Sequence, residues 1–388
     1  MPKVLLVRNY AADGQESMLR FADMLEGKLP GEGWEVLSIA PEVRLGKGQN
    51  TLSGKGKWLS YIDKYILAPS TFKRAAKDLQ PDIVHVCDHS NAMYLPHFSN
   101  YPRLVNCHDL LAIRVWLGEV PGESKSRIGG VQQKWIFSNL RKSPNISCIS
   151  QATRDELTRL APETEPYSRV IPMGLNYPYQ KIRNEEARKR IEHAGGLRAK
   201  SGVGFPEQWL LHVGGGTWYK NRSGAIEIFR KLLEQSPNKE LGLVIAGAPP
   251  SDKILKAAIG LENRITFIAC PDNATLEALY SMATLFIFPS LAEGFGWPPI
   301  EAQACGCPVA VSEIEPLKSN CGSAAIYYDP KQTESAAKQI ATVIHDRDAL
   351  NELSEAGMKN AKRFTAQTMV AAYSNFYHQI INENTASR

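Results

Sequence analysis

Long apolar runs are missing from this chain. No window approaches the length a membrane-spanning helix needs, and the first apolar stretch, KVLLV, is too short for the core of a secretory signal. The expectation is a soluble, cytoplasmic protein. Cysteine is sparse: seven residues, an odd number, at 87, 107, 148, 270, 305, 307 and 321, without the spacing of a disulfide framework. Most stand in apolar or small-residue contexts, which points to reduced thiols. Cys305 and Cys307 straddle Gly306, but a single C-G-C lacks the ligand spacing of a zinc site. Neither G-x-G-x-x-G nor G-x-x-x-x-G-K-[ST] occurs, which argues against a dinucleotide-binding dehydrogenase and a P-loop enzyme. The net charge of +5 is a mild excess for 388 residues, without the basic-aromatic organisation of a nucleic-acid binder. No expected strand ends in Asp-x-Asp, so the sequence offers no divalent-metal site.

What is present is alternation. Short apolar runs trade places with amphipathic stretches, the pattern of successive βαβ units in an α/β protein. In the first half strands are expected at Val4–Val7, Trp34–Ile39, Ile83–Cys87, Arg103–Cys107, Ile146–Ile149 and Arg169–Ile171. Helices are expected over Glu16–Lys28 and, basic in character, over Lys57–Leu79, with a polar loop at Glu42–Gly56 between them. The charged KIRNEEARKRIEHAGG and the Gly-rich residues after it mark a boundary. The pattern then restarts, with strands at Trp209–Val213, Leu241–Ala246, Ile265–Ile268, Leu285–Phe288, Pro308–Val311 and Ala325–Tyr328. Two doubly wound, Rossmann-like domains are predicted: residues 1–175, and 176–365, with a C-terminal helix over 366–388 returning to the first. Ligands of such sheets bind beyond the carboxyl ends of the strands.

The most informative segment is LAEGFGWPPIEAQACGCP, residues 291–308. It sets Glu293 and Glu301 eight positions apart across a Gly-Phe-Gly turn and a double proline. Gly294 and Gly296 let main-chain N–H groups approach a ligand closely. Pro298 and Pro299 suit a helix start, where donors without partners and the positive dipole end favour phosphate or sugar oxygens. After the first strand of the second half comes VGGGTWYKNRSGAIEIF. There Gly214, Gly215 and Gly216 make a flexible turn, Asn221 is a candidate helix cap, and Lys220 is placed to meet a diphosphate, with Arg222 a second candidate cation. In the first half the strand LVNC ends in His108-Asp109. His108 is a candidate for hydrogen-bonding a sugar hydroxyl or for general-base work, against the alternative of a locally satisfied strand terminus. His85 and His212 lie within strands and read as packed, whereas Asp88 and His89 are weaker candidates at a strand end. The loop NYAADGQES, leading to Gly14, is either a ligand loop or an ordinary βα turn.

These motifs, with GLVIAGAPP, the stretch from ITFIACPDNATLEALYS onward and AAIYYDP, resemble the retaining glycosyltransferases of family 4, which have the GT-B fold of two facing Rossmann-like domains. The first half is similar through QPDIVHVC, VNCHDLLAIR, CISQATRDEL and VIPMGLN. The resemblance implies a nucleotide-diphosphate sugar as donor and no cofactor. It implies Glu293 near the transferred sugar; main-chain contacts from Gly294, Phe295 and Gly296; Glu301 on the ribose hydroxyls; and Lys220, with Gly215 and Gly216, at the diphosphate. It places His108 near the donor sugar, and Gly14 in the N-terminal loop. Many relatives carry a second basic residue where this chain has Tyr219 or Gly215; Arg222 is the candidate replacement.

The implied reaction is metal-independent transfer with retention, in which Lys220 and helix-end N–H groups stabilise the departing diphosphate. A covalent intermediate on Glu293 is disfavoured against same-face attack assisted by a donor phosphate oxygen. Competing readings are another GT-B enzyme, an epimerase or phosphorylase, and a non-catalytic sugar-nucleotide-binding subunit. The acceptor is a glycan, a lipid-linked glycan or a small molecule. Lysines 47, 55, 57, 64, 73 and 77 suggest peripheral contact of residues 42–79 with the inner face of a membrane. A solvated charged face is the alternative, with Trp58, Tyr61, Tyr65 and Ile66 then on the core side of their helix.

Overall fold

A computed structural model describes residues 1–48, 54–123, 126–193, 205–235 and 240–386. The Gly-rich stretch expected after His193 and part of the expected loop at Glu42–Gly56 lie outside the described residues. The chain divides into two compact units, one made of Met1–Asn176 with Ala366–Arg388, the other of Tyr177–Thr365.

In the first unit six strands form one parallel sheet: β1 (Lys3–Val7), β2 (Glu35–Ile39), β3 (Ile83–Val86), β4 (Arg103–Cys107), β5 (Ile146–Cys148) and β6 (Ser168–Val170), in the order β2-β1-β3-β4-β5-β6. Both faces are covered by helices, so the central strands are buried almost throughout rather than alternating, with His85 and Asn106 as buried polar exceptions. One face packs Leu5, Val7, Val84, Val86, Val105 and Ile146 into a single core with Phe72, Tyr94 and Ile136. On the other, His85 stacks on Tyr373 and shares a 2.7 Å hydrogen bond between its Nδ1 and the Tyr377 hydroxyl. Those tyrosines belong to the last helix, Ala366–Ala386, which Trp34 fixes further by donating Nε1–H to Ser374 Oγ at 2.9 Å. His85 is a packed core histidine, and burial pushes its pKa down to about 3.

The expected helix over Lys57–Leu79 runs from Gly54, and residues 63–67 take a wider π turn. Pro69 explains it: without an N–H it cannot continue the i→i−4 ladder, and the Ala68 N–H reaches back to the Asp63 carbonyl instead. Asp63 itself is buried and holds the chain after β2 by accepting the N–H groups of Arg44, Leu45 and Gly46.

The second unit repeats the plan with β7 (Gln208–Gly214), β8 (Leu241–Gly247), β9 (Ile265–Ala269), β10 (Leu285–Phe288), β11 (Val309–Ser312) and β12 (Ile326–Tyr328), all parallel, in the order β12-β11-β10-β7-β8-β9. This is the doubly wound order in which chain direction reverses between β7 and β10. Loops leaving those two strands diverge and open a crevice at the carboxyl end of the sheet. The first sheet has its reversal between β1 and β3.

Candidate active site

Both loops at the β7/β10 reversal are tied to each other. After β7 the chain makes a short turn, Trp218–Lys220, and Asn221 adopts the left-handed conformation that asparagine tolerates (φ +48°). Its side chain then works in two directions. Asn221 Oδ1 accepts the Gly224 N–H at 3.2 Å, capping the helix Arg222–Gln235, while Nδ2 donates to the Pro289 carbonyl at 2.9 Å. A main-chain bond from Leu291 N–H to the Tyr219 carbonyl, 2.8 Å, makes a second stitch.

Lys220 and Glu293 meet across that seam. Lys220 Nζ lies 2.8 Å and 3.0 Å from the two carboxylate oxygens, and both side chains are largely shielded from solvent. The ammonium also lies 5.0 Å from the Phe288 ring centre and 5.4 Å from that of Tyr219. Tyr219 thus lines the lysine's pocket.

Arg222 goes elsewhere. Its buried guanidinium donates from Nη1 to the Pro249 carbonyl, 3.3 Å, in the loop after β8, and does not join the Lys220–Glu293 pair. Nε and Nη2 have no hydrogen-bond partner, and burial lowers its pKa. His212, buried beneath the glycine turn, shares a hydrogen bond from Nδ1 to the Ile287 carbonyl at 3.1 Å. Burial, with the charges of Arg222 and Lys220, pushes it down to about 3, so it is a neutral imidazole.

The glycines divide by role. A Cβ on Gly214 would stand 3.1 Å from His212 Nε2, and one on Gly247 (φ +129°) only 2.2 Å from the Gly214 carbonyl oxygen, so both are demanded by packing. Gly215 has nothing within 4 Å of its Cβ position, and Gly216 only an ordinary 3.8 Å contact with Ala248. Gly296 precedes the helix Trp297–Ala304 at φ +87°, where a Cβ would meet Leu317 Cδ2 at 2.3 Å.

Glu301 lies on the buried face of that helix and accepts the Tyr280 O–H at 2.8 Å on Oε2. Phe295 is a core residue: its ring packs edge-on against Phe364 at 5.5 Å, and its carbonyl accepts Asn320 Nδ2–H at 2.7 Å. Any ligand contact there comes from main chain. Tyr280 and Gly247 lie inside the stretches ITFIACPDNATLEALYS and GLVIAGAPP and Asn320 outside them, and the sequence singles out none of the three, because each is remote in sequence from what it supports.

The first unit holds the remaining candidates. His108 is buried at the end of β4 with Nε2 2.9 Å from the Cys87 carbonyl, and Phe21 packs edge-on against its ring at 4.9 Å. Burial lowers its pKa; Nε2 also lies 2.9 Å from Asn106 Nδ2, and Nδ1 has no hydrogen-bond partner. Asp109 is not its hydrogen-bond partner; it accepts the Leu111 N–H at 2.9 Å and starts the next helix. Asp88, at the end of β3, accepts Asn9 Nδ2–H at 2.6 Å and lies 3.2 Å from His89. Although burial opposes its ionisation, His89, His108 and Ser90 together hold its carboxyl well below the usual range. Gly14 (φ +62°) closes a short turn by donating its N–H to the Ala11 carbonyl, so that N–H is already engaged. Among the described residues no cluster of three or more His, Cys, Asp or Glu side chains is arranged to hold a metal ion.

Two doubly wound parallel sheets, one of them carrying a Lys–Glu pair at its reversal point, define the GT-B class. Sucrose-phosphate synthase from Thermosynechococcus elongatus superposes over 99% of this chain and 100% of its own, with a TM-score of 0.75 at 20% identity. Residues 197–360 match the model of glycosyl transferases group 1, and residues 20–177 that of glycosyltransferase family 4. The chain belongs to this group 1/family 4 glycosyltransferase family. It is 28% identical to O-antigen chain mannosyltransferase B of Escherichia coli over 358 residues, covering 89% of this chain and 88% of that one. It is 26% identical to a GDP-mannose:cellobiosyl-diphosphopolyprenol alpha-mannosyltransferase of Xanthomonas oryzae over 61% of this chain and 64% of that one. In two further curated relatives the matched stretch spans 66% and 52% of their length.

Proposed function

We propose that this enzyme transfers a hexose, with mannose the first candidate, from a nucleotide-diphosphate donor to a glycan or lipid-linked acceptor, with retention and without a metal. The observation that carries the reading is the shielded Lys220–Glu293 pair at the reversal point of the second sheet. A lysine there exchanges carboxylate for diphosphate without leaving its pocket. Its charge then grows in value as the leaving group separates, because the surroundings are poor in water.

Glu293, released from the lysine, is placed for the sugar's hydroxyls, and Glu301, oriented by Tyr280, for the ribose diol. Arg222 supplies unpaired donors near the β8 loop and serves as the second cation. In the first unit, His108 offers the bare Nδ1 as acceptor for a hydroxyl, a role that fits a neutral imidazole better than an imidazolium. Gly14 contributes close approach rather than its N–H. Residues of this first unit recognise the acceptor. The acceptor hydroxyl attacks the face the diphosphate leaves, and a donor phosphate oxygen takes its proton. Mannose, and GDP as its carrier, are suggested by the printed activities of the relatives from Escherichia coli and Xanthomonas.

A donor screen tests this. GDP-mannose, UDP-glucose, ADP-glucose and dTDP-rhamnose are incubated with a panel of lipid-linked and free glycans in EDTA, and products are read by mass spectrometry and anomeric NMR. Transfer from one donor with its anomeric configuration kept is expected. Binding without turnover across the panel would favour a non-catalytic subunit, and inversion would overturn the mechanism.

A further inference from the structure

The first unit exposes large apolar side chains on two neighbouring helical faces, joined by half-buried tyrosines of which Tyr65 reaches the core. On the helical run beginning at Gly54, Trp58, Tyr61 and Tyr65 recur at helical spacing; on Arg127–Leu140, so do Ile128, Val131 and Trp135. The faces join through ring contacts: Trp58 to Tyr61 at 5.9 Å, Tyr61 to Tyr65 at 5.3 Å, and Tyr65 to Trp135 at 5.5 Å. Gln132 lies between the two tyrosine hydroxyls and bonds both, at 3.1 Å and 2.6 Å. Trp58 is 57% exposed, Ile128 46%, Val131 71% and Trp135 43%. Of the four residues expected on the core side of this helix, Trp58 and Ile66 (67% exposed) are not, whereas Tyr65 packs against the core. A contiguous exposed patch of this kind marks a surface that meets something.

The surrounding charge says what. Residues 54–77 contain six cations, of which Lys64 is buried and paired with Asp13, and a single acid, Asp63, which is buried and already bound; residues 127–142 contain four cations and no acid. Among the described residues Lys55, Lys57, Arg127 and Lys134 make no ion pair. A second copy of this chain seated on the same face would press these like charges together, whereas an anionic surface would neutralise them.

We propose that this two-helix face seats the enzyme on an anionic lipid bilayer, with Trp58 and Trp135 at headgroup depth and the four cations at the lipid phosphates. Among the described residues no helix is long and apolar enough to cross a membrane, so the contact is one of lying on the surface. The proposal deepens the lipid-linked option of the function above and rests on that reading for its purpose, but not for its test.

Co-sedimentation with vesicles decides it, using the full chain without substrate. Vesicles containing about 30% phosphatidylglycerol are compared with pure phosphatidylcholine, at low salt and at roughly 0.5 M NaCl. The protein is expected to sediment with the anionic vesicles only, and to be released by salt. Trp58→Ser/Trp135→Ser and Lys55→Glu/Lys57→Glu/Lys134→Glu are each expected to weaken binding at least tenfold. Their thermal unfolding and their transfer to a detergent-dispersed acceptor should match the parent. Absence of vesicle binding, or binding untouched by both variants, overturns the proposal while leaving the transferase reading intact. A lipid-free dimer on size exclusion that the tryptophan variant dissolves overturns it in favour of self-association. Vesicle binding by a chain that transfers no sugar would count against the function and not against the surface.

Discussion

Gly215 and Gly296 flank the same crevice and answer to different constraints. Gly296 has φ +87° and no room for a Cβ beside the fully buried Leu317. Gly296→Ala should therefore cost roughly 2–4 kcal/mol in urea unfolding, from left-handed strain plus the overlap. Gly215→Ala meets nothing and should stay within about 0.5 kcal/mol of the parent, its effect appearing in donor affinity if a ligand uses that space. At this scale the sequence was informative about residue type and less about role. The E-x7-E spacing, Lys220 and the Asn221 cap were legible because chain neighbours determine them. Arg222 reads as a second cation for the diphosphate, and the structure adds that its guanidinium is anchored to the Pro249 carbonyl on the next loop over. That anchor depends on where β8 ends, which spacing does not encode. Likewise nothing local to Tyr280 shows that its hydroxyl anchors Glu301, twenty-one residues away.

At the scale of elements, the strands were legible because parallel strands covered on both faces leave continuous apolar runs, and the strand positions agree with the reading to within a residue or two. The π turn at Asp63–Leu67 was not, since helical periodicity averages over a single widened turn. The last helix tests how a distant segment completes a sheet. Its Tyr377 hydroxyl shares a hydrogen bond with buried His85, and Ser374 accepts from Trp34. Tyr377→Phe strands His85 Nδ1 in the core and should cost about 1–3 kcal/mol, whereas Ser374→Ala, which leaves one indole N–H unpaired, should fall at the lower end of that range. Equilibrium denaturation of both variants checks the order. Equal, near-zero effects would mean that the helix is held by apolar packing alone.

For the whole molecule, buried histidines set an acid limit. His85 and His212 titrate near 6.5 when unfolded and only at about 3 in the native state. The unfolded chain thus binds more protons between those values, so their stabilising contribution is complete above pH 6.5 and is lost as pH falls toward 3. Thermal unfolding at pH 7, 5.5 and 4.5 is expected to fall less steeply for His212→Gln than for the parent. Parallel slopes would show that His212 takes up its proton without unfolding.

The central claim is that the reversal point of the second sheet binds the donor's diphosphate through Lys220. Calorimetric titration of the tightest-binding of GDP, UDP, ADP and dTDP into the parent and into Lys220→Met tests it most directly. The parent should bind, and Lys220→Met, still folded though less stable for leaving Glu293 unpaired, should weaken affinity about tenfold or more, the loss of one charge-assisted hydrogen bond of about 1.5–3 kcal/mol. Equal affinity in the two proteins would contradict the account.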